Sequence, residues 1–157
     1  MSKKVAATIS VALLAVAMSG CQMEQEKNIE VANAWVKAVD GGMTGMFAEL
    51  SHSAGNDVAL VGGSSPIADV VEVHEVENGV MKEKPEGVVI PVGETSTLMP
   101  GGDHLMLMGL TGALLAGETI PVTLFFDSGQ ELTLEVMVKE FSGANEDYQP
   151  SRESGGE

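Results

Sequence analysis

Residues 74–83 read HEVENGVMKE, and the Asn78-Gly79 pair at the centre decides how the segment folds. Asn-Gly is the preferred two-residue loop of a type I′ hairpin turn, because both of its positions need positive φ. With that turn formed, Glu77 pairs with Val80, Val76 with Met81, Glu75 with Lys82 and His74 with Glu83. Side chains alternate across a strand, so His74, Val76, Met81 and Glu83 fall on one face. Met81 becomes the diagonal neighbour of His74, within reach of a long thioether side chain.

Outward from this hairpin the pattern stays strand-like from Ile29 to about Phe141. No segment carries a sustained i, i+3, i+4 apolar stripe with helix caps. Strands are predicted at Ile29–Val39, Thr44–Ser51, Val58–Val61, Val70–Val76, Val80–Lys84, Val88–Pro91, Thr95–Met99, His104–Leu110, Thr119–Asp127 and Glu131–Lys139. Gly62-Gly63-Ser64-Ser65-Pro66 reads as a loop. Short strands at close spacing, separated by Gly, Pro and Asn turns, indicate an all-β antiparallel sandwich or barrel. The 157 residues suffice for one such domain with a core of its own, taken as 29–141.

The ends differ in composition. Met1 to Gly20 has a short positive start (Lys3, Lys4), an apolar run from Val5 to Met18 and small residues after it, the layout of a secretory signal. Ser19-Gly20 lead to Cys21, the single cysteine, and this resembles the lipobox of bacterial lipoproteins, which implies lipidation at Cys21. Residues 21–28 then form the lipidated cysteine and a tether, and 142–157 a polar, disordered tail. The chain is expected to be exported and anchored by lipid, facing the periplasm or the cell exterior. One cysteine allows no internal disulfide, so packing alone must hold the domain.

The formal charge is −15, becoming −17 once Lys3 and Lys4 are removed with the signal. Such a surface repels nucleic acid and anionic headgroups. No nucleophile constellation is present, and one cysteine excludes Cys-x-x-Cys redox chemistry, so no enzyme is expected.

The chemistry concentrates between His74 and Met108. In HLMLM (104–108), His104, Met106 and Met108 project from one face, successive members about 6–7 Å apart, while Leu105 and Leu107 point into the core. Imidazole with thioether suits soft monovalent copper, whereas zinc prefers thiolate, imidazole and carboxylate. Methionine on a strand is commonly core filler, and a lone histidine is commonly just hydrogen-bonded. Clustering and export favour the metal reading. His52 is expected to be a solvated loop residue and Met99 to serve packing; Met43 and Met46 receive no role.

These residues resemble the PCuAC family of bacterial periplasmic copper chaperones over Ile29–Val138. The likeness rests on Ala34-Trp35, Gly63-Ser64-Ser65-Pro66, Val73-His74-Glu75, Gly79-Val80-Met81-Lys82, Ile90-Pro91, Leu98, Pro100-Gly101-Gly102 and above all His104–Leu110. It implies a cupredoxin-like Greek-key β-sandwich binding Cu(I) through two His and two Met. His74, His104 and Met106 match three ligands. The family has Met-x-Met after the turn, with the second Met as ligand, and here that stretch is Met81-Lys82-Glu83. The fourth ligand is therefore Met81, the reading adopted, or Glu83, whose carboxylate favours a divalent ion; a third outcome is a decayed three-ligand site. The family further implies a copper-accepting partner, a cytochrome c oxidase subunit (its CuA centre) or another copper chaperone. The alternatives are a copper store for tolerance and a surface lipoprotein without metal.

Overall fold

Eleven strands follow one another without a helix among the described residues, which in this computed structural model are 29–53, 55–143 and 147–148. They are β1 (Ile29–Lys37), β2 (Met43–His52), β3 (Val58–Ser64), β4 (Val70–Glu77), β5 (Val80–Glu83), β6 (Val88–Ile90), β7 (Thr95–Leu98), β8 (His104–Met108), β9 (Thr119–Phe126), β10 (Glu131–Lys139) and β11 (Asp147–Tyr148). Residues 1–28, with Cys21, the signal and the tether, lie outside the described residues.

Seven strands close a barrel in the order β3-β4-β8-β2-β1-β10-β9, returning to β3. Closure abolishes free edges for these seven. The all-β reading holds, with two departures from antiparallel pairing among the described residues: β1 and β10 run parallel, Trp35 opposite Met137, and so do β5 and β11. The barrel closes at β3–β4 through one register pair, Gly63 with Val71.

Period-two burial builds the core. In β9, Ile120, Val122, Leu124 and Phe126 are buried and alternate with more exposed neighbours. Val71 and Val73 of β4, Leu105 and Leu107 of β8, and Met46 and Leu50 of β2 join them in one cluster. Burying each such side chain stabilises by about 1.5–3 kcal/mol.

Two expectations are corrected. Gly62–Ser64 continue β3 instead of forming a loop. A Cβ on Gly63 would sit 2.5 Å from the Thr123 carbonyl oxygen, so this glycine permits close strand approach between β3 and β9. The tail reading changes at Asp147–Tyr148, whose backbone pairs with Val80–Met81 along the edge of β5. An edge strand presents unpaired N–H and C=O groups, and this segment covers them.

Candidate metal centre

The Asn78-Gly79 hairpin forms as its sequence dictates, with φ of 53° and 79° at the two turn positions. The register is Glu77–Val80, Val76–Met81, Glu75–Lys82 and His74–Glu83. On its other side β4 pairs with β8, so that His74 lies directly opposite His104 and Glu72 opposite Met106. The two imidazole centroids are 6.0 Å apart. Strand parity thus gathers His74, Met81, His104 and Met106 on the outer face of β5-β4-β8. All four are buried, yet none belongs to the core cluster inside the barrel.

A second layer covers them. Phe47 of β2 lies with its ring centroid 6.0 Å from that of His104 and 4.6 Å from Trp35, and Phe141 meets Trp35 edge-on at 5.3 Å. Gly45, paired with Met106, leaves room for this roof: a Cβ there would stand 2.8 Å from Phe47 Cζ. The Lys37 ammonium donates to the Gly143 carbonyl. Beneath lies a cavity of about 170 Å3 whose lining includes Met81, His104, Met106, Met43, Phe47 and Lys37. Glu83 is only partly buried and does not line it.

Hydrogen bonds fix which ring nitrogens face the cluster. His104 Nδ1 lies 2.9 Å from the Gly102 carbonyl oxygen. A carbonyl only accepts, so Nδ1 carries the proton and Nε2 keeps its lone pair. His74 Nε2 lies 3.2 Å from the Glu72 carboxylate, which likewise leaves the lone pair on Nδ1. Those two lone-pair atoms, His74 Nδ1 and His104 Nε2, are buried and make no hydrogen bond among the described residues. An outer carboxylate or carbonyl orienting a ligating imidazole is the usual support of a metal site.

Charge ties the two halves together. Lys84, just past β5, lies 3.0 Å from Asp103 and 3.4 Å from Glu75, linking the hairpin to the loop that delivers His104. Burial pulls the Lys84 ammonium down, but the hydrogen bond and charge of Asp103, joined by Glu75, hold it above the ordinary lysine value. The hydrogen bond from Lys82 holds the Glu75 carboxyl below its usual range.

The structure brings together all four predicted side chains and leaves Glu83 beside them. It corrects His52, which is buried at the end of β2 with Nε2 3.0 Å from the Ile90 carbonyl oxygen. Sequence reasoning missed Glu72, Phe47, Lys37 and Gly45. Glu72 was findable, since it stands two residues before His74 and shares its face. The others required knowing that β2 adjoins β8 and β1 adjoins β2.

A family profile described as "Putative lipoprotein LpqE-like" matches residues 29–138. This chain belongs to that LpqE-like family, of PCuAC type. A relative described as "Putative lipoprotein Lxx21020", of Leifsonia xyli subsp. xyli (strain CTCB07), is 39% identical over 153 residues, spanning 88% of this chain and 92% of the relative. Among solved structures, the LpqE-like fold matches the copper-bound PCuAC domain from PmoF2 with a TM-score of 0.62 at 21% identity, over 72% of this chain and 93% of that one. The solution structure of CuI-DR1885 from Deinococcus radiodurans matches with a TM-score of 0.60 at 30% identity, over 80% of this chain and 85% of that one. The cupredoxin-like architecture expected from sequence is therefore the one found.

Proposed function

We propose that this LpqE-like chain is an exported, lipid-anchored carrier of Cu(I) that hands the ion to a copper-accepting protein. The carrying observation is the donor set: two imidazoles and two thioethers buried together on the outer face of β5-β4-β8. Among the described residues no group of three or more His, Cys, Asp or Glu could hold a metal, so binding here depends on thioether sulfur. Thioether selects the soft monovalent ion. Lys37 in the cavity wall adds positive charge, which disfavours a divalent ion more than a monovalent one. The copper-bound PmoF2 domain and the CuI form of DR1885, similar in fold, support the same reading.

In this reading His74 Nδ1, His104 Nε2 and the sulfurs of Met81 and Met106 are the ligands. Met81 is preferred over Glu83 because it is buried and lines the cavity. All four donors are neutral, so the ion binds and leaves without proton release from sulfur. Donor replacement by an incoming partner then needs no change of protonation. Such a site suits a carrier and not an enzyme. The finer reading of the recipient is the CuA centre of cytochrome c oxidase, and the family's lipoprotein character supports the anchor at Cys21.

Copper X-ray absorption on wild type, Met81→Leu and Glu83→Gln tests the site. Two sulfur neighbours are expected in wild type and Glu83→Gln, and one in Met81→Leu. Two sulfurs persisting in Met81→Leu would reject Met81, and no sulfur in wild type would reject the proposal. For the recipient, a deletion strain is expected to lose oxidase metallation; normal oxidase with raised copper sensitivity would favour storage instead.

A further inference from the structure

The ligand row of β8 does not stop at Met106. Parity carries His104, Met106 and Met108 along one face, and burial falls along it, from His104 and Met106 to the partly exposed Met108. The neighbouring strand supplies a second thioether at that end. Met43 of β2 is the register partner of Met108, just as Gly45 is the partner of Met106. Met43 is 39% exposed and lines the same cavity as Met81, His104 and Met106. The pairing is held on both sides: Leu110 N–H donates to the Gly42 carbonyl at 3.0 Å, and Asp69 N–H to the Met108 carbonyl at 2.9 Å. Directly paired strand residues have Cβ atoms about 4.5–5.5 Å apart, close enough for two thioether sulfurs to converge on one ion.

We propose that Met43 and Met108 form an outer thioether station at the mouth of the cavity, through which Cu(I) enters and leaves the buried ligands. This rests on the copper-carrier reading. Met106 and Met108 are about 6–7 Å apart along the strand, a span that long flexible side chains can share. Each step is ligand exchange: a neutral sulfur lone pair forms one bond to the ion as another sulfur or imidazole bond breaks. No electron or proton moves. The ion thus leaves the cavity, away from the Phe47 ring beside His104, without ever depending on water alone. An acceptor bulkier than the cavity of about 170 Å3 meets the ion at this mouth.

The test uses the full chain in detergent, loaded with one equivalent of Cu(I), and bathocuproine disulfonate as acceptor. Equilibrium competition and stopped-flow transfer are measured on wild type, Met43→Leu/Met108→Leu and Met99→Leu. Leucine conserves volume, so packing is kept, and Met99 is a half-exposed thioether outside the cavity lining. The double variant is expected to hold Cu(I) within about twofold of wild type, yet to transfer it about tenfold more slowly, a rate being exponential in its barrier. Met99→Leu should transfer at the wild-type rate. Transfer at the wild-type rate by a double variant that binds normally would overturn the outer station and leave the carrier reading standing. An equilibrium affinity loss in the double variant equal to that of Met106→Leu would also overturn it, by making Met43 and Met108 resident ligands. Absence of Cu(I) binding in wild type would end both.

Discussion

The two faces of β4 and β8 are one stretch of backbone with opposite duties. Inward, Val71, Val73, Leu105 and Leu107 enter the barrel core. Outward, one residue along each strand, His74, His104 and Met106 meet Met81 beneath aromatic side chains. Both faces are buried, but for different reasons: apolar transfer free energy inside, and water exclusion around a soft donor set outside. Because the period is two, neither face can shift without moving the other to the wrong side. Fold and chemistry share a register while drawing on separate residues.

The largest test of this separation is Leu105→Ala or Leu107→Ala. Each removes a fully buried side chain and should cost about 2–5 kcal/mol in urea unfolding. The folded fraction should keep wild-type Cu(I) affinity; a parallel loss of affinity would mean that the faces are not independent. The converse change is His104→Leu, expected to weaken Cu(I) binding about 100-fold while leaving apo stability within about 1.5 kcal/mol. Strong unfolding of that variant would show the outer face to be core after all. Glu72→Gln addresses the orienting carboxylate. It should lower affinity about tenfold and leave the copper–sulfur count unchanged, since outer partners typically contribute that much.

The smallest effect is expected at Lys84→Met. The ammonium is mostly buried but shares two carboxylates near solvent, so its loss should cost about 1 kcal/mol or less. Its folded value is raised, so that contribution is complete below the ordinary lysine value and disappears only as pH rises through the folded one. Wild type and variant should therefore differ by a constant amount through neutral pH. A difference that grew on mild acidification would assign the effect to another group.

Much of this was legible because local chemistry and global fold agree. Asn78-Gly79 permits one kind of turn, and alternation in HLMLM sorts its residues into two faces before any partner strand is known. Errors arose where tertiary contact overrode local habit. Gly62-Gly63 reads as a breaker, yet at Gly63 it is the crowding of Thr123 that demands glycine. His52 sits between two serines and reads as solvated, yet the backbone of Ile90 in β6 takes it up. The roof was invisible because Trp35, Phe47 and Phe141 are far apart in sequence and converge only once β1, β2 and β10 are laid side by side.

The seam at Gly63–Val71 has a kinetic consequence. A single register pair closes the ring there, whereas β4 is joined to β8 along five. Cooperative units of a protein open first where the fewest hydrogen bonds cross. Amide exchange with deuterated solvent should thus run fastest along the β3 side of β4, with β4, β5 and β8 swinging as one protected leaf. The seam borders the strand that carries His74, so the line along which the barrel opens and the proposed grip on Cu(I) meet in the same strand.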